Sequence, residues 1–204
     1  MAYSDFSAKE LITRFGIHYS SENLFPQVHP VAPSAWLRES LDKGMGMGFG
    51  SEKSRSERLV SPILMELSSL NANQFSIYSG MNLDVDGSQG LNGECDFIFS
   101  FSRIQDFVTA PIFCITEAKK QDVEQGTIQC SAQLIAARKF NDLEGNHPAT
   151  LYGCSTTGIE WRFLKYENNE VTLDNRRYLV NELDTLLGVL QRIVEVSRQQ
   201  IHFN

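Results

Sequence analysis

The chain has 204 residues and a formal net charge of −7; 42% of its residues are hydrophobic and 21% are charged. These values are typical of one globular domain with a full core, and they exclude a disordered or low-complexity chain. The acidic balance counts against tight non-specific binding to nucleic acid, which depends on lysine and arginine, but it leaves open a local basic patch or an acidic cation site.

Two short helices are predicted near the N-terminus. In residues 7–15, Ser7 precedes Glu10 at the spacing of a capping box. Residues 34–44 form a short amphipathic segment that begins at a serine and ends at a glycine. Both patterns predict helices of only two or three turns.

The segments that flank the second helix predict irregular structure. Residues 16–33 contain three prolines and predict an extended connection. Glycines alternate in residues 44–50 and predict a flexible joint, whereas a phosphate loop is disfavoured because no strand precedes them and no G-K-[ST] follows. We therefore expect residues 1–50 to form an N-terminal helical extension with a glycine-rich joint.

Residues 51–204 predict a mixed α/β core. In the first helix of this core, apolar residues repeat at three- and four-residue steps, and Pro62 either kinks the helix or marks its start. The predicted elements are a helix at 51–70, strands at 75–86, 93–102 and 110–120, a helix at 123–140, strands at 149–156, 159–167 and 170–174, and a helix at 180–200. This order predicts one sheet with helices packed on its faces.

Polar residues interrupt two of the apolar strands. The stretch PIFCITEAKK is apolar until Glu117 and Lys119, which share one face of the strand because alternate residues point to the same side. Asp96 stands among apolar neighbours in the preceding strand, where an unpaired carboxylate is unfavourable. We expect the two acids to meet around a hard divalent cation, with the lysine beside it. The alternative is a solvent-exposed Glu-x-Lys pair that only aids solubility.

Asp96 in one strand, followed by Glu117-x-Lys119 in the next, resembles the PD-(D/E)XK nuclease superfamily. This superfamily includes restriction endonucleases, Holliday-junction resolvases and the nuclease domain of type I restriction subunits. Its core is a helix, a three-strand meander, a helix and a fourth strand, which is the order predicted for residues 51–167. The stretch LYGCSTTGIEWRF is similar to the strand–turn–strand of the type I nuclease domains and of uncharacterised bacterial relatives. The resemblance implies a restriction-endonuclease-like mixed sheet flanked by helices.

The resemblance also assigns roles to five residues. It implies that Asp96 and Glu117 bind Mg²⁺ or Mn²⁺, and that Lys119 positions a water molecule and stabilises negative charge. Many members add a glutamate from the first helix, and Glu57 matches it as a further metal ligand. Many also have a glutamine on the helix after the lysine, and Gln133 in QCSAQLIAA matches that position.

Two of these assignments have alternatives. Ser54 and Glu57 have the spacing of a capping box, so that the glutamate has a structural role available to it. Gln129 shares a helical face with Gln133 and is the second candidate for the glutamine. Three isolated cations are candidates for phosphate contacts, although such residues usually face solvent: Arg103, Arg138 and Lys139.

The function implied by the resemblance is a magnesium-dependent endonuclease that hydrolyses DNA phosphodiester bonds. The alternative is a catalytically silent nuclease-fold domain that acts in nucleic-acid binding or subunit assembly, which the acidic net charge favours. A homodimer is compatible with the resemblance, and a helicase or methyltransferase subunit is left open as a partner. The apolar stripe of the closing helix is expected to belong to the core rather than to a dimer interface.

Targeting and redox patterns predict a cytoplasmic protein without a membrane span. No run of about 18 apolar residues is found, and the start MAYSDFSAKE lacks the pattern of a secretory signal. The four cysteines show no C-x-x-C pairing and are expected to be reduced and buried. The four histidines are scattered and predict no metal site.

Overall fold

The structure is a computed structural model that describes residues 2–201, so that His202 lies outside the described residues. The α-helices of this part of the chain are α1 (Ala8–Phe15), α2 (Ala35–Gly46), α3 (Glu52–Arg55), α4 (Ser61–Leu70), α5 (Val123–Leu143) and α6 (Leu183–Gln199). The strands are β1 (His18–Glu22), β2 (Ser76–Asn82), β3 (Glu94–Ser100), β4 (Ile112–Ala118), β5 (Thr150–Thr156), β6 (Glu160–Glu167), β7 (Glu170–Asp174) and β8 (Tyr178–Leu179).

The strands form one mixed sheet of eight strands. Its order is β1-β7-β6-β5-β4-β3-β2, and β8 pairs with β6. Strands β2, β3 and β4 form an antiparallel meander, after which α5 crosses over to β5, which runs parallel to β4. The predicted fold class, a mixed α/β sheet flanked by helices, is confirmed.

Helices cover both faces of this sheet because alternate strand residues point to opposite sides. One hydrophobic cluster joins α2, α4 and α6 to one face, and a second joins α1 and α5 to the other. The apolar stripe of α6 is buried in the first cluster, as predicted. The buried glutamate and glutamine described below lie on the α5 face of the sheet.

The residues before position 50 are integrated into this sheet and into its cores. The segment predicted as an extended connection contains β1, which runs parallel to β7 at the edge of the sheet. Its sequence, HYSSE, has one large apolar residue, so that the strand forms through pairing with β7 rather than through an apolar pattern. Helix α2 continues past Gly44, where an added Cβ would lie 2.6 Å from the carbonyl oxygen of Arg58. The start of the predicted joint is therefore closely packed at Gly44, whereas an added Cβ at Gly46, Gly48 or Gly50 would meet nothing within 4 Å.

The predicted helix at 51–70 is divided by a wide turn. A π-helical segment, Ser56–Val60, separates α3 from α4, and its last bond runs from the N–H of Ser61 to the carbonyl of Ser56. Pro62 follows directly and has no N–H to donate to Arg58. The missing donor explains why the regular bonding pattern is interrupted just before the proline.

Two further predictions concern cysteines and membranes. All four cysteines, at 95, 114, 130 and 154, are free and buried, as predicted. Among the helices of residues 2–201, none has the length and apolar character needed to cross a membrane.

Candidate functional site

Polar side chains from neighbouring strands meet on the α5 face of the sheet. The antiparallel register of β3 with β4 brings Asp96 next to Glu117. The Oδ2 atom of Asp96 accepts a hydrogen bond from the backbone N–H of Ala118 at 2.7 Å. In the parallel register of β4 with β5, Glu117 lies opposite Ser155. The predicted meeting of the two acids is therefore present, at the start of β3 and the end of β4.

Glu117 is the centre of this cluster and is almost fully buried. Its Oε1 atom lies 2.9 Å from the Nζ atom of Lys119, and its Oε2 atom accepts a hydrogen bond from Nε2 of Gln133 at 2.7 Å. Its side chain is 3% exposed, whereas that of Lys119 is 16% exposed. Four of the five predicted site residues are thus in one cluster, which we call the acidic cluster: Asp96, Glu117, Lys119 and Gln133.

Glu52, at the start of α3, approaches the acidic cluster near the end of β4. Its Oε1 atom lies 4.0 Å from Nζ of Lys119, and its Oε2 atom accepts a hydrogen bond from the backbone N–H of Lys120 at 3.2 Å. The side chain of Glu52 is 48% exposed, so that these contacts are at the solvent boundary of the cluster. Glu52 is therefore the helical glutamate that lies near the acidic cluster.

The prediction that Glu57 supplies the helical carboxylate is not confirmed. Its side chain is 60% exposed and lies 3.9 Å from Lys53, one turn back on the helix surface. Ser51 and Ser54 form the observed capping box, one turn before the Ser54–Glu57 spacing, so that the helix begins at Glu52. This start places Glu52 at the helix end that faces the sheet. Sequence reasoning missed Glu52, although a serine directly before it is an N-cap signal.

The pKa values follow from burial and from the proximity of like charges. Burial and the carboxylate of Asp96 raise the pKa of Glu117 to about 7, against the opposing effects of Lys119 and Gln133. Burial also raises the pKa of Asp96, and the N–H of Ala118 offsets part of this rise. Burial acts to lower the pKa of Lys119, but the surrounding carboxylates outweigh it and the net pKa is raised. Lys119 is therefore an ammonium at neutral pH.

The first turn of α5 lies unusually close to the sheet beside this cluster. A Cβ added at Gly126 would lie 2.2 Å from Oγ of Ser155 and 2.8 Å from Cγ of Lys119. The hydroxyl of Ser155 donates to the carbonyl of Val123 at 3.0 Å and fixes this approach. The absence of a side chain at position 126 lets the helix pack against the lysine stem and hold it over Glu117.

Of the two candidate glutamines on α5, Gln133 contacts the acidic cluster. Gln133 is fully buried, and its Oε1 atom has no hydrogen-bond donor among the described residues. Gln129 is buried as well, rather than solvated, but it makes no hydrogen bond to the acidic cluster in the described part of the chain. The amide oxygen of Gln133 is thus a buried acceptor without a donor within residues 2–201, on the side chain that binds the carboxylate of Glu117.

The donor atoms of the acidic cluster suit a hard divalent cation in part. Asp96 and Glu117 offer carboxylate oxygens side by side, and a cation between them would relieve the repulsion that contributes to the high pKa of Glu117. Within residues 2–201, no group of three or more histidine, cysteine, aspartate or glutamate side chains is arranged to hold a metal ion. Magnesium usually keeps several waters and needs only one or two protein carboxylates, so that two donors are compatible with it.

The chain was compared with protein-family models, with curated proteins and with solved structures, and none of them matches it. Membership in the PD-(D/E)XK superfamily therefore stays a prediction. What supports it is the arrangement of Asp96, Glu117, Lys119 and Gln133 around one buried carboxylate.

Proposed function

We propose that the protein is a magnesium-dependent endonuclease that hydrolyses phosphodiester bonds in DNA. The observation that carries the proposal is the convergence of two carboxylates and one ammonium at the end of β4. A polar cluster in a buried environment is unfavourable for folding unless all its members are satisfied. Groups of this kind, with pKa values shifted by burial and by like charge, are concentrated at functional sites.

Asp96 and Glu117 are the residues that would hold the cation, and Mn²⁺ would fit the same oxygens. When bound, the cation would polarise a phosphate oxygen and favour formation of a hydroxide nucleophile. The backbone N–H of Ala118 fixes one oxygen of Asp96, and the amide of Gln133 fixes one oxygen of Glu117. Both carboxylates are therefore oriented before any ligand enters, which reduces the reorganisation that catalysis requires.

Lys119 has the role of a hydrogen-bond donor in this proposal. Because its net pKa is raised, its ammonium does not accept a proton from water near neutral pH. It donates hydrogen bonds that orient the attacking water and stabilise the negative charge that develops on the phosphate. The hydrolysis adds the hydroxyl group of water to phosphorus, breaks one P–O ester bond and leaves a phosphate and a hydroxyl end.

Nicking of supercoiled plasmid in the presence of magnesium tests this proposal. We expect the wild-type protein to nick the plasmid, and Asp96→Asn and Lys119→Met each to reduce the rate about 100-fold or more, because each removes a group that acts on the transition state. Lys120→Met is the matched control, since Lys120 is the exposed neighbour of Lys119, whose side chain is only partly exposed. Nicking at the same rate by the wild type and Asp96→Asn would contradict the proposal.

A catalytically silent domain is the second candidate, and one observation favours it. Both oxygens of Glu117 already have partners within the chain, as in a closed structural network. If such a domain acts in subunit assembly, titration calorimetry would detect binding of neither magnesium nor duplex DNA by the wild-type protein, whereas a silent nucleic-acid-binding domain would bind the duplex without cleaving it. Magnesium binding that is lost in Asp96→Asn would exclude the assembly domain.

A further inference from the structure

The polar row on the α5 face continues beyond the acidic cluster to β6. Glu117 lies opposite Ser155 in the register of β4 with β5, and Ser155 lies opposite Arg162 in the register of β5 with β6. Residues directly opposite one another in a sheet point to the same side. Arg162 is therefore on the same face as Glu117, two strands away, at a distance of roughly 10 Å between their backbones.

Arg162 is partly buried and forms no ion pair with another residue of the described part of the chain. Its Nε atom is buried without a hydrogen bond, and its guanidinium makes no hydrogen bond or ion pair within residues 2–201. Burial and the neighbouring charge of Arg177 lower the pKa of Arg162. A buried N–H donor without an acceptor is unfavourable, because it loses hydration and gains nothing, whereas the Nη atoms of Arg162 keep access to solvent.

Three acids lie near Arg162, and two of them are bound to Arg177. The third, Asp174, accepts hydrogen bonds from the backbone N–H of Arg176 and from the hydroxyl of Tyr178. Arg177 contacts Oε1 of Glu124 through Nη2 at 2.7 Å and Oε1 of Glu160 through Nη1 at 2.5 Å. These two carboxylates influence Arg162 only through space. The charge of Arg177 is thus neutralised within the fold, while the Nη donors of Arg162 stay available to a ligand.

Arg162 lies near the start of α5, a helix end that already carries the N-cap carboxylate of Asp122 and the first-turn carboxylate of Glu124, so that an anion there would be bound chiefly by Arg162. The first turn of α5 lies over Ser155, through the hydrogen bond to the carbonyl of Val123, and so it lies between the acidic cluster and Arg162. The N-terminal end of a helix carries a partial positive charge and favours negative ligands. A guanidinium matches the oxygens of a phosphate with two parallel hydrogen bonds.

We infer that Arg162 binds a backbone phosphate of DNA near the scissile bond, from its place in the same sheet row as Glu117 and its unpaired guanidinium. This inference rests on the proposed function for the identity of the ligand. The DNA backbone then crosses the start of α5, with one phosphate at Lys119 and another at Arg162. The contact is sequence-independent, because phosphates carry no base information.

Binding of a short labelled DNA duplex, measured by fluorescence anisotropy in the Asp96→Asn background, tests the inference without cleavage. Over a series of salt concentrations, Arg162→Met should weaken binding about 10-fold at low salt, as expected for a lost charge-assisted contact. It should also reduce the slope of log affinity against log salt by about 0.9, the value for one phosphate contact. Arg162→Lys should keep the slope and recover part of the affinity, because it retains the charge but not the planar fork.

Arg38→Met is the matched control, because Arg38 is exposed on α2, on the opposite face of the sheet, and its loss changes net charge equally. Circular dichroism and thermal melting check that each variant is folded. If Arg162→Met does not fold, the test depends on Arg162→Lys alone. An affinity of Arg162→Lys for the duplex equal to that of the parent Asp96→Asn protein then overturns the inference. Equal slopes for Arg162→Met and Arg38→Met, or no duplex binding by the parent, also overturn it. Wild-type protein that binds DNA through Arg162 but does not nick plasmid would overturn only the nuclease proposal.

Discussion

The two faces of the strand pair β3–β4 differ completely, although they are built from the same short segments, with a register shift beside Phe113. On one face, Phe99 and Phe113 pack with Phe75 and Phe101, with ring centroids 4.2–6.4 Å apart. The other face carries the acidic cluster at one end. The comparison suggests that the aromatic face provides stability, while the polar face retains interactions that are unfavourable for folding and suited to chemistry.

The largest expected change in the free energy of unfolding is for a substitution on the aromatic face. Phe113 is 1% exposed and contacts three other rings, so that Phe113→Ala should lower the free energy of unfolding by about 3–5 kcal/mol, from lost burial and a cavity. Urea denaturation measures the change. Phe107→Ala is the control: Phe107 is 57% exposed, and its loss should change stability by about 0.5 kcal/mol or less. Equal losses for the two variants would refute the assignment of stability to this face.

The next largest effect is the pH dependence of stability that comes from Glu117 on the polar face. The pKa of Glu117 is about 7 in the folded protein and near 4.5 when unfolded, so that the folded state binds this proton more tightly. Without metal, stability should therefore fall as pH rises from about 4.5 to 7, by up to about 3 kcal/mol from this group. Glu117→Gln should remove this contribution, as measured by urea denaturation at several pH values.

Glu57→Gln is the control for this pH series, because Glu57 is an exposed glutamate on a helix surface. It should leave the pH dependence of the wild type unchanged. Magnesium added at pH 8 should restore stability to the wild type and not to Asp96→Asn, if the cation binds between the carboxylates. A wild-type stability that rises steadily from pH 5 to 7 without metal would show that the carboxylate of Glu117 is not destabilised by its surroundings.

The smallest expected effect distinguishes the two helical glutamates. Glu52→Gln removes a half-exposed carboxylate 4.0 Å from Lys119, and it should change stability by less than about 1 kcal/mol. If the protein is a nuclease, this variant should reduce plasmid nicking about 10-fold, as expected when an outer partner of a catalytic group is lost. Glu57→Gln should nick like the wild type, and a stronger effect for Glu57 than for Glu52 would reverse the assignment.

Much of the fold was predictable because it depends on local patterns. The capping box of Ser7 and Glu10 is present at the start of α1, and the strands of the meander are found within the predicted ranges. Strand β1 was missed because its residues alternate weakly and its pairing with β7 links segments far apart in the chain. A strand that is stabilised mainly by its neighbour leaves little signal in its own residues.

The candidate site was predictable where the residues break an apolar pattern. Asp96 and Glu117 stand out because each interrupts a buried strand, and neighbouring strands bring such residues together. Arg162 gave no such signal, since an arginine between two apolar residues of a strand is usual on a half-exposed face. Its unpaired state depends on which acids Arg177 binds, and this is decided by side-chain contacts across three elements.

The sequence by itself determined the fold class, the meander and the pair of acids, because hydrophobic periodicity and broken apolar runs are properties of consecutive residues. Tertiary structure alone decided that Glu52 rather than Glu57 reaches Lys119, and that Gln133 rather than Gln129 reaches Glu117. It also decided that Arg162 has no ion-pair partner within residues 2–201. These outcomes depend on where one helix begins and how closely another approaches the sheet. Such distances arise from the packing of separate segments, and no single stretch of sequence encodes them.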